Sequence, residues 1–426
     1  MPHVVVVGAG FAGMSAVSHL SKEGFRVTLV DRHPYNTFQP LLYQVATGGL
    51  NAGDVTYSLR HFASRFDGVR FRRASVVGID HEAQDVLCED GVRIGYDYLV
   101  IGNGITTNHF GIPGAAEYTM SMYTRAEALR VRDTIYGSME IIAGTSDGNT
   151  GGFTVVLVGG GATGVEMAGQ LAELKTEVLP KTYPELDPTQ VHVVLVEMGE
   201  FLLAPFDDSL RQYALRELIK RGVDVRLKTA ISEVHADHVD FKDGSSMPVD
   251  LVIWAAGVSG SPMLRDWGIP IGRGGRIEVN PDTRIVGFEK VFAIGDSSII
   301  VENPLPQLAQ PAIQSGKHAA KQIARIHRGL ETEAFSYFNK GTMATIGRGD
   351  AVLQTPVGFN LTGVLAWIAW IALHIVYLLG GRNRVQTLVN LGARYLGPRR
   401  SNAIVGDVME TPKLRAIKKS EVGRQG

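Results

Sequence analysis

Two glycine-rich hexapeptides carry the chemistry most directly legible in this chain: Gly8-Ala9-Gly10-Phe11-Ala12-Gly13 and Gly159-Gly160-Gly161-Ala162-Thr163-Gly164. Each follows an apolar β-branched run and precedes a helix-compatible segment. The first glycine permits a tight turn, the second leaves room for a pyrophosphate, and the third lets the helix pack close to the strand. A pyrophosphate placed there lies on unpaired amides at the positive end of the helix dipole. Asp31, 18 residues after Gly13, ends the next apolar run, and Glu197 ends the run after the second hexapeptide. A carboxylate at that point accepts hydrogen bonds from ribose hydroxyls. Met198-Gly199-Glu200 follow Glu197 with no nearby arginine, so a 2′-phosphate would meet repulsion and NADH is favoured over NADPH. The alternative is that Glu197 merely ends a strand in solvent.

These residues need strands and helices to hold them. The apolar runs predict strands at Val4–Val7 and Val27–Val30 around a helix reaching about Lys22, and at Thr154–Val158 and Val191–Val196 around a helix running on through Leu174. The plan repeats: VVVVGAGFAGMSA returns as TVVLVGGGATGVEMAG, and YDYLVIGNG from Tyr96 returns as VDLVIWAAG from Val249. Two sites imply two dinucleotides, and the usual reason to hold two is hydride transfer between them, so one should be a flavin. A strand Val291–Ile294 ending in Gly295-Asp296 supplies a carboxylate for the ribityl or phosphate region of FAD, which makes the first domain discontinuous. Pro311 suits the first turn of a helix whose amides could face the flavin.

Composition removes other classes. The 426 residues suffice for roughly three units at ~150 each. A net charge of -1 gives no reason to expect nucleic acid, and the single Cys88 excludes a disulfide framework, a redox-active pair, a cysteine zinc cluster and a protein-held iron–sulfur centre. Cys88, before the hairpin-turn sequence Glu89-Asp90-Gly91, is read as incidental, and no metal is expected. No signal peptide is read at the N-terminus, so the catalytic body is expected on the cytosolic side.

With the glycine loops, YDYLVIGNG and AIGD indicating the broad class, the segments FQPLLYQVATGGL, GGGATGVEMAGQLAEL, QLAQPAIQSGK and GTMATIGR make the chain resemble the type II NADH:quinone oxidoreductases, within the two-dinucleotide-binding-domain flavoproteins. The resemblance implies non-covalent FAD held by the positions matching Gly8, Gly10, Phe11, Ala12, Gly13, Asp31, Arg32, Gln39, Tyr43, Gln44, Val77, Gly102, Gly104, Gly295, Asp296 and Ala312. It implies NADH as co-substrate on Gly159, Gly161, Gly164, Glu197, Ala256 and Gly257. It places Glu166 near flavin and nicotinamide, and Gln310 and Gln314 on the quinone approach. Gly102-Asn103-Gly104 departs from the alanine-threonine-glycine common among relatives. Other readings stay open: an acid in the first turn of a helix, where Glu166 is expected, is favoured by the dipole anyway; Gln310 and Gln314, four apart on one helix face, could be packing amides; Phe38 and Tyr43 read as packing residues.

Val357–Gly380 contains 24 residues without Asp, Glu, Lys or Arg, about 36 Å as one helix. Trp367, Trp370, His374 and Tyr377 form a stripe along its middle and second half, unlike the end-placed aromatics of a spanning helix. The expectation is a helix lying in the membrane surface, aromatic edge toward headgroups and Leu365, Ile368, Ala372 and Ile375 toward lipid, with a true span and a buried oligomer or core helix as the alternatives. A second amphipathic stretch, Arg384–Leu396, carries Val385, Leu388, Val389, Gly392 and Leu396 on one side. No acid occurs between Ala351 and Gly406, while Arg382, Arg384, Arg394, Arg399 and Arg400 are present.

The expected fold is α/β: two Rossmann-like domains, the FAD domain spanning 1–115 and 288–340 and the NADH domain 116–287, then a membrane-anchoring module at 341–410 and a disordered tail at 411–426. The expected activity is NADH:quinone oxidoreduction without proton pumping: hydride from NADH to FAD N5, then two-electron reduction of a membrane quinone, with Glu166 the one nameable proton donor. The protein is expected as a peripheral, monotopic enzyme on the cytoplasmic side of the cell membrane; a homodimer stays open. Rival readings are a reductase of a soluble, ferredoxin-type acceptor and a membrane-bound NADH sensor.

Overall fold

A computed structural model of the protein describes residues 1–144 and 152–396. The expected tail, Arg399, Arg400 and the end of the 341–410 module lie outside the described residues. The chain forms two compact units, one from 1–37, 57–106 and 258–340, the other from 38–56, 107–257 and the chain from Gly341 onward.

The first unit is built on a five-stranded sheet in the order Val291–Ala293, Tyr98–Ile101, His3–Val7, Arg26–Asp31, Val69–Arg73, parallel throughout. Parallel strands are covered on both faces, which is why they read as unbroken apolar runs. The core joins Val5, Val7, Leu99 and Ile101 to Cys88 of the hairpin Asp85–Cys88 and Arg93–Gly95, and to Leu264, Trp267 and Ile277. Residues 258–287 therefore belong to this unit, not to the second as expected. The helix Ala309–His327 begins two residues before Pro311 and packs on the helix Phe11–Lys22. The approach is close enough that a Cβ on Gly316 would lie 2.1 Å from the Ala12 carbonyl.

The second unit repeats the plan, with parallel strands Thr119–Ser121, Leu251–Trp254, Phe153–Val158, Val191–Val196 and Asp224–Arg226 in that order. The internal repeat has a hydrogen-bonded cause in both units. Asp97 accepts from the amide of His3 at 2.6 Å and Asp250 from the amide of Thr154 at 2.8 Å, so each Asp before a strand anchors the start of its neighbour. A three-stranded antiparallel sheet, Ile231–Val234, His238–Phe241 and Ser246–Pro248, adds to this unit.

The C-terminal part is also integral to the second unit. Strands Thr342–Gly347, Asp350–Gln354 and Asn360–Thr362 form an antiparallel sheet. The helix Ala162–Glu173 seats on it so closely that a Cβ on Gly169 would come within 1.8 Å of the Ile346 carbonyl. The single 24-residue helix expected from Val357 does not form. Leu361 pairs with Leu353, Gly363 turns the chain at φ +68°, and the helix covers only Gly363–Tyr377. Among the described residues no helix is long and apolar enough to cross a membrane. The next helix spans Gly381–Leu396, three residues longer at its start than expected.

Candidate active site

In the first unit the loop Gly8–Gly13 is fixed by sterics and by Asp31. Gly8 sits at φ +96°, where a Cβ would lie 2.3 Å from the Gly102 carbonyl, and a Cβ on Gly13 would lie 1.8 Å from the Gly8 carbonyl. Gly10 differs: a Cβ there would meet nothing within 4 Å, so its missing side chain leaves open space in front of the helix. That helix has no side-chain cap and no acid in its first turn, leaving its amides for an anion. Asp31 accepts from the amides of Ala9 and His33, both at 2.8 Å. The carboxyl of Asp296 is half-buried, which pushes it up to about 6, against the pull of the nearby Arg276. Gly295, at φ +66°, faces Ala12 and Ala312. The buried Oδ1 of Asn103 and Oε1 of Gln310 lack partners. Uncapped amides, open space beside Gly10 and orphaned polar atoms fit a bound pyrophosphate and a polar ring system, as FAD offers.

Other expected FAD contacts are scattered. Arg32 is exposed, and Val77 is exposed on the strand Val76–Asp80. Gly104 turns the chain at φ +73°. Gln314 gives both ends of its amide to the backbone of Phe338, at 3.0 Å each, which commits it to holding that segment and away from a substrate. Its neighbour four residues earlier, Gln310, keeps a free acceptor.

The second unit matches this cradle residue for residue. Gly159 sits at φ +111° against Ala256, a Cβ on Gly164 would lie 1.8 Å from the Gly159 carbonyl, and Gly161 faces open space at an uncapped helix start. Glu197 does not merely end in solvent: it accepts from the amides of Gly160 and Gly199, both at 2.6 Å. Gly257 is covered by the exposed ring of Phe110, 2.1 Å from where its Cβ would be.

Within the second unit a buried polar cluster surrounds Glu166. The helix starts at Ala162, so Glu166 lies beyond the first turn and the dipole does not account for it. It is 8 % exposed, and burial pushes its carboxyl up to about 8, although the Thr345 amide, 3.3 Å away, and the nearby Trp370 indole favour the charged form. The indole Nε1 closes no hydrogen bond of good geometry. Tyr43 and Gln44, expected beside the flavin, are buried in this same unit, with Gln44 Nε2 donating to the Tyr43 hydroxyl at 3.0 Å. Burial, and then the charge of Glu166, hold the Tyr43 phenol well above its usual range; burial takes Tyr395 to about 12. Gln39 lies apart, its amide 3.4 Å from the Tyr123 carbonyl.

One and two turns beyond Glu166, Gln170 and Glu173 are buried on the same helix face and meet Arg394, which donates to Gln170 at 2.6 Å and lies 3.6 Å from Glu173. The remaining guanidinium nitrogen Nη1 and Gln44 Oε1 are buried without partners. Trp370 and His374 stack at 3.9 Å, and burial lowers the His374 imidazole to about 4. The sequence alone does not assign Trp370, His374, Arg394, Tyr395, Gln170, Glu173 or Thr345 to this cluster. One signal was present: 166, 170 and 173 form a polar stripe at helical spacing in an otherwise apolar helix.

Comparison with known proteins places this geometry. Residues 2–316 match the model of the pyridine nucleotide-disulphide oxidoreductase family. The chain is 35 % identical over 430 residues to "Type II NADH:quinone oxidoreductase NdhA" of Mycobacterium tuberculosis, covering 96 % of this chain and 91 % of that protein. It belongs to the type II NADH:quinone oxidoreductase family. A Staphylococcus aureus relative of the same printed name is 31 % identical over 366 residues, 82 % of this chain and 88 % of its own. In fold, the family member resembles NDH2 of Plasmodium falciparum solved with NADH, at a TM-score of 0.85 and 19 % identity over 93 % of this chain and 99 % of that one. The sulfide:quinone oxidoreductase of Aquifex aeolicus shares the fold at 0.75 and 19 % identity, covering 93 % of this chain and 96 % of that chain; a persulfide chemistry has no cysteine partner here beyond the buried Cys88.

The aromatic stripe of the C-terminal helix does not face headgroups. Trp370 is buried beside Glu166, Trp367 packs edge-on against Tyr395, and His374 packs edge-on against Phe38, so these rings face protein. Two of the arginines in this segment are committed to the fold. Arg394 is largely buried, its side chain 14 % exposed, and Arg384 donates to the carbonyls of Leu378 and Val376, capping the preceding helix.

Proposed function

We propose that this protein oxidises NADH and reduces a membrane quinone through non-covalently bound FAD. The observation that carries the quinone reading is Glu166, held protonated at neutral pH in a pocket shared with the C-terminal helices. When bound, FAD supplies the chemistry of taking two electrons from NADH and releasing them to the quinone. The chain's own residues bind, orient and handle protons. The uncapped helix starts behind Gly10 and Gly161 would hold the two pyrophosphates, and Asp31 and Glu197, which hold the loops, would align the riboses. Quinone reduction consumes protons, and an acid with its pKa near 8 is matched to donate one at neutral pH and to be recharged from water. Arg394, braced by Gln170 and Glu173, offers its free Nη1 donor to a carbonyl acceptor.

The second unit supports a peripheral membrane attachment on the side of the catalytic body. The helix Gly381–Leu396 turns Thr387 and Asn390 inward: Thr387 lies against the Asp54 carbonyl, and Asn390 donates to the Asp54 carboxylate at 2.7 Å. Val385, Leu388 and Val389 point outward at 64, 55 and 61 % exposure, and Val364, Leu365, Ile368 and Val376 do the same on the preceding helix. An apolar face set outward on a helix anchored by its polar face suits the acyl boundary of a bilayer.

The test is steady-state turnover of the purified, flavin-loaded protein with NADH and a short-tail quinone. Quinone-dependent NADH oxidation is expected. NADH oxidation supported by a ferredoxin-type acceptor but not by quinone would replace this reading with the soluble-acceptor one.

A further inference from the structure

The accessory sheet of the second unit carries a cluster that the electron-transfer reading does not use. The strands Ile231–Val234 and His238–Phe241 pair antiparallel, Val234 opposite Val239 and Glu233 opposite Asp240. The connecting turn is closed by the His235 amide donating to the His238 carbonyl at 2.9 Å. Buried Val234, Val239 and Phe241 fix this turn to the unit's core, so the polar residues on it are held in place. His235 Nε2 lies 3.1 Å from Asp240 Oδ2, and His238 Nε2 lies 3.9 Å from Asp240 Oδ1. One ligand atom from each of the three residues falls within 4.8 Å of the others. Donors around a tetrahedral zinc ion, at bonds of about 2.0–2.2 Å, stand roughly 3.3 Å apart, so small rotations bring all three onto one ion.

Two further features point to a cation. His238 Nδ1 donates to Asp237 Oδ1 at 2.7 Å, the carboxylate–histidine arrangement that fixes the ring's tautomer and leaves Nε2 as a lone-pair donor toward Asp240. The two imidazoles stack at 4.1 Å and 11°, and Glu233, Asp237 and Asp240 surround them, with Glu233 Oε1 3.7 Å from His235 Nε2. The stacked rings and the carboxylates beside them form a donor set of mixed nitrogen and oxygen.

We propose that this turn binds one divalent transition-metal ion of the zinc class through His235, His238 and Asp240, with the open position filled by water or Glu233. The nitrogen donors select against magnesium and calcium, which take oxygen ligands. The ion clamps the turn to the strand His238–Phe241.

The experiment uses the tag-free, FAD-loaded full chain, stripped with EDTA and titrated with ZnCl2 by calorimetry, with bound metal counted by elemental analysis after dialysis. One Zn2+ per chain is expected, saturating below about 100 µM free metal and not displaced by excess Mg2+. His238→Gln and Asp240→Asn, both partly exposed side chains, each weaken binding at least tenfold. Asp237→Asn, which only orients His238, weakens it by about 10- to 100-fold. No saturable zinc binding, or binding unchanged in both His238→Gln and Asp240→Asn, overturns the proposal and leaves the turn an ordinary hydrogen-bonded cluster.

Discussion

Replacing Glu166 by Gln removes a titrating group whose folded pKa stands about 8, against a usual value of 4.5. The folded chain keeps this proton where the unfolded chain has lost it, so the stability it confers is fully present below pH 4.5 and is lost as pH rises toward 8. Each pH unit in that window costs about 1.36 kcal/mol, giving about 3 kcal/mol at pH 7 and about 5 kcal/mol above pH 8. Glutamine keeps a polar amide of the same shape and carries no proton to lose. Glu166→Gln is therefore expected to be more stable than the parent, by an amount near zero at pH 4.5 and growing to pH 8. For 426 residues the unfolding entropy is about 0.9 kcal/mol/K, so 3 kcal/mol corresponds to a Tm rise of about 3 °C at pH 7. Parallel urea titrations of both flavin-loaded proteins from pH 5 to 9 measure this difference. A stability difference that does not change with pH would refute the reasoning, since it would mean that Glu166 is ionised in the fold at neutral pH. The same variant should retain flavin reduction by NADH and lose quinone turnover.

Glu197 holds two loop amides with a carboxylate that would repel a 2′-phosphate, so kcat/KM for NADH should exceed that for NADPH at least tenfold, about 1.4 kcal/mol, and Glu197→Gln should narrow the ratio through weaker NADH use. Equal efficiencies in the parent would contradict the assignment. Asp31→Ala orphans the amides of Ala9 and His33 and should release flavin on gel filtration, read from the absorbance ratio of flavin to protein. Leu388→Glu with Val389→Glu places charge on the outward face and should abolish vesicle binding while flavin content holds. Because burial of apolar area supplies ~25 cal/mol per Å2, high salt should not strip the parent protein from vesicles, whereas detergent should. Release by salt alone would assign the attachment to charge.

The two cradles were legible because each depends on residues close in sequence: a strand, its glycine loop and the acid at the next strand end lie within about forty positions, and backbone sterics at Gly8, Gly13, Gly159 and Gly164 admit little else. The Glu166 pocket was legible only as one acid. Its partners arrive from far away, Thr345 at a separation of 179 residues and Arg394 at 224 from Gln170, and no local pattern encodes such pairings. The spacing of Trp367, Trp370 and His374 indicated a shared helix face, but the choice between lipid and protein against that face is a tertiary matter. The start of that helix was hidden because Asn360–Thr362 pairs with the strand Asp350–Gln354, and ladder hydrogen bonds outweigh helix preference in an apolar segment. His235, His238 and Asp240 follow no helical metal-ligand spacing in the sequence; the hairpin brings them together.

The central claim is that electrons enter from NADH and leave to a quinone through one bound flavin. Anaerobic stopped-flow spectroscopy separates the two halves on the same sample. The account predicts rapid loss of the flavin band on mixing with NADH, then its recovery on mixing with a short-tail quinone, the recovery alone slowing in Gln310→Ala. A flavin band that NADH does not bleach, or one that bleaches but is not restored by quinone, would contradict it.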